Sequence, residues 1–260
     1  MRVTDRVPAW SLAVTSIISV QLGLALSVPL FDVVGAAGTA WLRLCAGAVI
    51  FLLVNRPPLR GLRRSDLQLL LPLGVASGFI TIAFLTALER IPLGTAVAIE
   101  FLGPLGVAVF RSHRRSLLVW PALALVGVVL MTDPWSGDVD LLGVFMAGLA
   151  ACGWATYILL TQHVADRFSG LEGLSITIPV AAISTAFIGI PQVSGGLSWS
   201  VVAAAFGLAL LLPVIPFSLE MLALRRLTTS AFGTLMALEP AFALLMGLLL
   251  LAQYPHAGQV

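Results

Sequence analysis

Long apolar runs fill this chain, and they limit its possible folds more than any other feature. An α-helix needs roughly 20 apolar residues to cross the hydrocarbon core of a bilayer. Hydrophobic residues make up 59% of the chain and charged residues 10%, which is unlike a soluble domain of this size. The sequence therefore predicts an all-helical polytopic membrane protein embedded in a lipid bilayer. We place nine spans at residues 9–31, 33–54, 67–88, 91–110, 117–132, 141–162, 173–193, 199–222 and 228–252.

The arginines predict the orientation of the spans, because cytoplasmic loops of membrane proteins carry an excess of positive charge. With the N-terminus in the cytoplasm, 12 of the 14 arginines fall on cytoplasmic segments. Arg90 falls on the outer side, and Arg43 lies inside the second span. We therefore predict a protein of the bacterial inner membrane with a cytoplasmic N-terminus. The outer segments carry acidic residues instead, namely Asp32, Glu89, Asp133, Asp138 and Asp140.

One sequence pattern occurs twice, at an offset of 136 residues (from position 87 to position 223). Each copy places a carboxylate near a proline within an apolar span. Under the predicted orientation, the two copies cross the membrane in opposite directions. Inverted repeats are typical of secondary transporters, whose binding sites lie at interrupted helices near the bilayer midplane. The residues Ala87, Leu88, Arg90, Leu102 and Pro104 recur as Ala223, Leu224, Arg226, Leu238 and Pro240.

The repeat divides the chain into two units, at residues 1–132 and 133–260. The plan of the repeat is five helices in each unit. Ten helices are therefore expected, whereas the nine spans leave the second unit without its last helix. Either the sequence is a fragment or the native chain has nine helices. We expect a fragment, because the ninth span would otherwise lack its neighbour.

The residue inventory excludes several enzyme chemistries. All 14 basic residues are arginine, so the chain has neither the lysine of a P-loop nor the amine of a Schiff base. Cys45 and Cys152 fall within apolar spans, where we interpret them as small packing residues. The sequence shows no nucleophile–base set and no metal-ligand spacing. We therefore expect no enzyme activity, no metal, no cofactor and no nucleic-acid partner.

Ionisable residues inside the spans are candidates for a site, because a charge in lipid is costly. Glu100 lies deep in the fourth span. It is either a protonated residue that serves packing or a site for substrate and protons. Pro104 has no amide hydrogen, so the carbonyl of residue 100 loses its helical partner. Glu239 and Pro240 form a similar pair in the ninth span, as a kink or as a ligand site. Arg43 needs an acidic partner, which is either Glu100 or a substrate carboxylate.

Other polar and aromatic residues fall near the middle of the spans. Trp154 and Tyr157 share a helix face, because they are three residues apart. They either pack or line a cavity that also receives Gln21. Gly74 and Gly78 form a GxxxG pattern that favours close helix approach. We further expect a bend at Pro213 and Pro216, and a surface or gate salt bridge at Glu220.

Several stretches resemble one family of membrane transporters. The stretches are residues 216–227, 231–241, 98–105 and 153–158, with the sequences PFSLEMLALRRL, AFGTLMALEPA, AIEFLGPL and GWATYI. They are similar to helices 8, 9, 4 and 6 of the threonine/homoserine exporters in the EamA branch of the drug/metabolite transporter superfamily. The resemblance covers essentially the whole chain. Phe217, Thr228, Ala252 and Gln253 stand where the subgroup usually has Tyr, Pro, Gly and Glu.

The resemblance implies ten helices, a central cavity, and proton-driven efflux of a small amino acid such as threonine or homoserine. The alternatives are a carrier for another small metabolite or drug, and a truncated membrane protein that does not transport. The oligomeric state is open, and a homodimer is compatible with the sequence. The residues that match the family's motifs are Arg43, Glu100, Pro104, Trp154, Tyr157, Glu239 and Pro240, and Gln21 completes the predicted substrate and proton site.

Overall fold

The computed structural model describes residues 8–54, 63–111, 140–164, 170–224, 226–227 and 235–254, with six further positions at 119, 123, 126, 127, 129 and 130. Helices account for nearly all of this part of the chain. We number them α1 (Ala9–Ser27), α2 (Phe31–Val34), α3 (Ala36–Val54), α4 (Arg64–Leu88), α5 (Leu93–Glu100), α6 (Leu102–Arg111), α7 (Leu141–Val164), α8 (Gly170–Val193), α9 (Trp199–Ala209), α10 (Ile215–Leu224) and α11 (Glu239–Leu251).

Six helical stretches are long and apolar enough to cross a bilayer, namely Ala9–Val34, Ala36–Val54, Arg64–Leu88, Leu141–Leu160, Glu172–Val193 and Trp199–Glu220. Two shorter apolar stretches, Leu93–Val107 and Glu239–Leu251, lie within the fourth and ninth predicted spans. The predicted class, an all-helical polytopic membrane protein, is therefore confirmed. The fifth predicted span, at 117–132, lies almost entirely outside the described residues. The division into repeats at residue 132 stays a prediction.

Three of the spans are interrupted near a proline. The fourth breaks at Phe101, between α5 and α6, and Pro104 follows in the first turn of α6. The eighth contains a π-helical stretch at Leu210–Val214, in which Leu212 has an extended backbone (φ −159°, ψ 109°). This stretch confirms the bend expected at Pro213. The ninth turns at residues 237–238, and α11 then begins with Glu239 and Pro240. Since 101 plus 136 is 237, two of these breaks fall at equivalent positions of the predicted repeat.

Glycines allow close helix contacts at the centre of the bundle. A Cβ atom at Gly74 would lie 2.6 Å from the Val180 Cβ, and one at Gly78 would lie 2.9 Å from the Ala181 carbonyl oxygen. The backbones of α4 and α8 therefore approach closely, as the GxxxG pattern predicts. On α6, a Cβ atom at Gly103 would collide with the Ala151 carbonyl oxygen of α7. These contacts hold the helices that surround the central cavity at fixed separations.

The largest apolar cluster lies at one end of the bundle. It joins the ends of α1 and α4, the first turns of α3 and α7, and most of α5, through buried residues such as Leu85, Leu88, Leu93 and Ala147. At the same end, Arg90 forms an ion pair with Asp140 at 3.2 Å. The hydrogen bond from the Gly143 amide lowers the pKa of Asp140 below its usual value, and Arg90 adds a smaller effect in the same direction. The loops that the sequence assigns to the outer side are thus brought together.

A side chain links the two helices that carry Glu100 and Glu239. The Gln253 Oε1 atom, just after α11, accepts a hydrogen bond of 3.0 Å from the Leu93 amide at the start of α5. It satisfies one of the amides that every helix start leaves without an internal partner. The beginning of α5 therefore meets the end of α11, so the two packed helices run antiparallel.

We expect Ala252→Gly to stabilise the protein by about 1 kcal/mol, because Ala252 has a left-handed backbone (φ 52°) that costs a residue with a Cβ atom about that much. Ala243→Gly is the matched control, since Ala243 is a buried residue of the same helix and should lose about 1 kcal/mol. Thermal unfolding of the detergent-purified variants would measure both changes. A lower midpoint for Ala252→Gly than for the parent would contradict the left-handed conformation.

Candidate functional site

The centre of the bundle contains a cavity of about 320 Å³. Eight helices contribute to its wall, and all six residues of the predicted substrate and proton site line it. The six are Gln21 on α1, Arg43 on α3, Glu100 on α5, Trp154 and Tyr157 on α7, and Glu239 on α11. Their positions in the sequence span more than 200 residues, and the fold brings them to one place.

Two polar atoms on this wall are buried without a hydrogen-bond partner among the described residues. They are Oε1 of Gln21, whose residue is 1% exposed, and Nη1 of Arg43, whose residue is 5% exposed. An unsatisfied buried polar group costs about 1–3 kcal/mol, so such groups require an explanation. Here both atoms belong to residues that face the same cavity. An acceptor and a donor without a described partner therefore lie in the wall of that cavity.

Arg43 and Glu100 share the cavity but do not form an ion pair. Salt bridges require a nitrogen–oxygen distance of at most 4.0 Å, and within the described ranges only Arg90 and Asp140 meet this limit. The sequence left two possible partners for Arg43, namely Glu100 and a substrate carboxylate. The structure does not pair Arg43 with Glu100. The guanidinium remains available for an anionic group of a ligand, such as a carboxylate.

The two predicted carboxylates lie at helix ends. Glu100 is the last residue of α5, and Glu239 is the first residue of α11. The start of a helix favours an anion, which stabilises a negative charge at Glu239. Pro104 and Pro240 do not belong to the cavity wall. They lie within about one helical turn of the carboxylates, so their contribution to the site is the interrupted backbone.

Hydroxyl groups on α4 add hydrogen-bond acceptors to the wall. The Ser77 hydroxyl donates to the Leu73 carbonyl at 2.8 Å, and the Thr81 hydroxyl donates to the Ser77 carbonyl at 2.9 Å. Each hydroxyl proton is therefore used within its own helix, and the oxygen lone pairs remain as acceptors. Sequence analysis missed both residues, because a hydroxyl inside an apolar span more often bonds only to its own helix.

Four aromatic residues complete the wall. Trp154 and Tyr157 lie on one face of α7, as their spacing predicts, and Phe84 and Phe217 line the cavity from α4 and α10. Trp154 also packs edge-on against Phe101, with ring centroids 6.5 Å apart. The contact joins α7 to the break between α5 and α6. Aromatic faces attract cations, so these rings favour a ligand that carries an ammonium group.

Glu220 is a third carboxylate on the cavity wall, a position that sequence analysis did not predict. Its Oε1 atom accepts a hydrogen bond of 2.7 Å from the buried Ser16 hydroxyl of α1. The ion pairs of the described residues do not include a salt bridge at Glu220, and Arg225, one of its two expected partners, lies outside the described residues. The spacing of residues along the helix indicates the position of Glu220 at the cavity better than its distance in sequence from the arginines does. Pro216 and Phe217 precede Glu220 by four and three residues, which places all three on one face, and all three line the cavity.

Comparison with known proteins identifies the family of this helical arrangement. Residues 141–260 match the EamA-like transporter family. The chain is 37% identical to the threonine/homoserine exporter RhtA of Salmonella typhimurium (strain LT2), over 96% of this chain and 86% of the relative. It is 38% identical to the threonine/homoserine exporter RhtA of Escherichia coli (strain K12), over 95% of this chain and 86% of the relative. The chain therefore belongs to the EamA-like transporter family, in the subgroup that contains these two exporters.

Proposed function

We propose that this protein exports small amino acids such as threonine and homoserine across the bacterial inner membrane, in exchange for protons. The observation that carries the proposal is the cavity, in whose wall a buried donor at Arg43 and a buried acceptor at Gln21 have no partner among the described residues. The names of the two relatives supply the substrate class. Proton exchange and alternating access are the finer parts of the proposal.

An amino acid with a hydroxyl group complements the wall of the cavity. Its carboxylate would bind the Arg43 guanidinium, which presents several N–H donors to a carboxylate. Its ammonium would bind Glu100 and Glu239, which end and begin their helices at the cavity. Its hydroxyl would donate to the Gln21 Oε1 atom and accept from a neighbouring donor. Each charged group of the substrate would thus have a partner of opposite charge.

Proton exchange follows from competition for the same carboxylate. A carboxylate that binds the substrate ammonium must be ionised, and one that binds a proton loses this attraction. On the outer side, Glu100 would take a proton as the amino acid leaves. On the cytoplasmic side, Glu100 would release the proton before the next amino acid binds. One amino acid would then leave for each proton that enters.

Alternating access requires the two halves of the bundle to rock about the cavity. The apolar cluster at the end that holds Arg90 and Asp140 supports a state closed on that side. With the N-terminus in the cytoplasm, the closed side is the outer side. The breaks at Phe101, at Leu212 and before α11 are the positions where bending would cost least, because helical hydrogen bonds are already missing there.

Transport by the reconstituted chain tests this function. Proteoliposomes with an imposed pH difference should accumulate labelled threonine on the acidic side, where protons are available for exchange. A difference of one pH unit is equivalent to about 1.4 kcal/mol, which supports up to about tenfold accumulation for a one-to-one exchange. The matched control solute is 2-aminobutyrate, which lacks only the hydroxyl and should be a poorer substrate. Absence of threonine transport, with or without the gradient, would overturn the proposal.

A further inference from the structure

The cavity holds more carboxyl groups than a zwitterionic amino acid can pair with. Three carboxylates line it, at Glu100, Glu220 and Glu239, whereas Arg43 is the one basic residue among the lining residues. A zwitterion adds no net charge to this set. Carboxylates away from water require compensation by a cation or a proton. A substrate with one additional ammonium group would match the wall better.

Glu220 lies at a different depth from Gln21, whose Oε1 atom has no partner among the described residues. On α1, Glu220 is bonded to Ser16, which precedes Gln21 by five residues. With a helical rise of 1.5 Å per residue, the two levels are roughly 7–8 Å apart along the axis. The wall therefore has one polar level around Gln21 and a second around Glu220. The hydroxyl of threonine is too close to its α-carbon to bridge these levels.

The surroundings of Glu220 suit an ammonium ion. One carboxylate oxygen accepts the Ser16 hydroxyl at 2.7 Å. Within the described ranges, no basic side chain lies within 4.0 Å of the carboxylate. Phe217 lies on the same helix face and lines the same cavity, so its ring can face a cation held by Glu220. A hydrogen-bonded carboxylate on the same helix face as an aromatic residue is a favourable site for a primary amine.

We propose that the cavity also binds amino acids that carry a second ammonium group at the end of the side chain, such as ornithine and lysine. The α-carboxylate would bind Arg43, and the terminal ammonium would bind Glu220. The flexible stem of lysine, four carbons long, has the reach that threonine lacks. This inference rests on the proposed function as an amino-acid exporter, and it extends the substrate class of the same cavity to dibasic amino acids.

Competition in proteoliposomes tests the proposal. Ornithine should inhibit labelled threonine transport at a concentration about tenfold lower than norvaline, which has the same carbon skeleton without the second amine. Labelled ornithine should itself be transported. Glu220→Gln should lower the ratio of ornithine to threonine transport by about tenfold or more, because the amide retains the hydrogen-bond acceptor for Ser16 but not the charge.

A second variant and a control separate recognition from folding. Glu220→Asp retracts the carboxylate by one methylene group, so the preference should shift from ornithine towards the longer lysine. Glu89→Gln removes a carboxylate from an exposed position outside the cavity and should change neither ratio. Threonine transport without ornithine transport would overturn this inference and leave the proposed function intact. An equal loss of both solutes in Glu220→Gln would also overturn it. Failure of both solutes in the parent protein would overturn the proposed function as well.

Discussion

Arg43→Gln is expected to reduce threonine transport by about 30-fold or more. Arg43 as a residue is 5% exposed, and its Nη1 atom has no described partner, so a substrate carboxylate would be its main compensation. Loss of one partner of a buried charge pair costs about 2–5 kcal/mol, and about 1.4 kcal/mol corresponds to tenfold in affinity. The initial rate of labelled threonine transport in proteoliposomes, measured against substrate concentration, would show the change.

The control for Arg43→Gln is Arg90→Gln. Arg90 forms an exposed ion pair with Asp140, and exposed pairs contribute little, so transport should change by less than about twofold. A substrate analogue distinguishes a binding role from a structural one. The parent should prefer threonine over 1-amino-2-propanol, which lacks the carboxylate, whereas Arg43→Gln should lose this preference. Retention of the preference in Arg43→Gln would assign the guanidinium to packing.

Glu100→Gln is expected to abolish accumulation driven by a pH difference. Glutamine has nearly the same shape as glutamate but cannot bind and release a proton, so the exchange cycle would lose its coupling group. The parent should reach up to about tenfold accumulation at a difference of one pH unit, and the variant should reach none. Exchange of labelled for unlabelled threonine without a gradient should continue at a reduced rate. Flux measurements with and without the gradient would separate the two activities.

Glu239→Gln provides the comparison for Glu100→Gln. Both carboxylates line the cavity, and the amides differ from them only in the exchangeable proton. If Glu239→Gln alone abolished the gradient-driven accumulation, the proton site would belong to α11 and the assignment to Glu100 would be wrong. Glu89→Gln again serves as the control outside the cavity, and it should retain full accumulation.

The apolar runs predicted the helices well, because the bilayer permits few alternatives. A backbone in lipid must satisfy its own hydrogen bonds, so an apolar run of sufficient length becomes a helix. The positions and lengths of the helix breaks were harder to predict from the sequence. Proline removes one amide hydrogen, which weakens a helix locally, but it does not specify how far the break extends. Leu212 adopts an extended backbone next to Pro213, and the sequence predicted only a bend there.

The residues of the site were also predictable to different degrees. The sequence predicted three of the residues because a charge in an apolar span is unusual, namely Arg43, Glu100 and Glu239. A salt bridge was predicted at Glu220 because Arg225 and Arg226 follow it closely in sequence, and Arg225 lies outside the described residues. These arginines are five and six residues away, and helix neighbours are three or four residues apart. The pairing of Arg43 could not be predicted, because it depends on distances between helices that no local pattern encodes.

The hydrogen bond between Gln253 and Leu93 joins α5 and α11 at the ends opposite to Glu100 and Glu239. The two helices therefore resemble the arms of a pair of tweezers, with the joint at this bond and a carboxylate at each tip. The α5 arm, from Leu93 to Glu100, is about 12 Å long at 1.5 Å per residue. A rotation of about 15° would then move its tip by about 3 Å, which is the length of one hydrogen bond. A substrate ammonium shared by both tips would lose one of its two partners while the joint itself stayed intact.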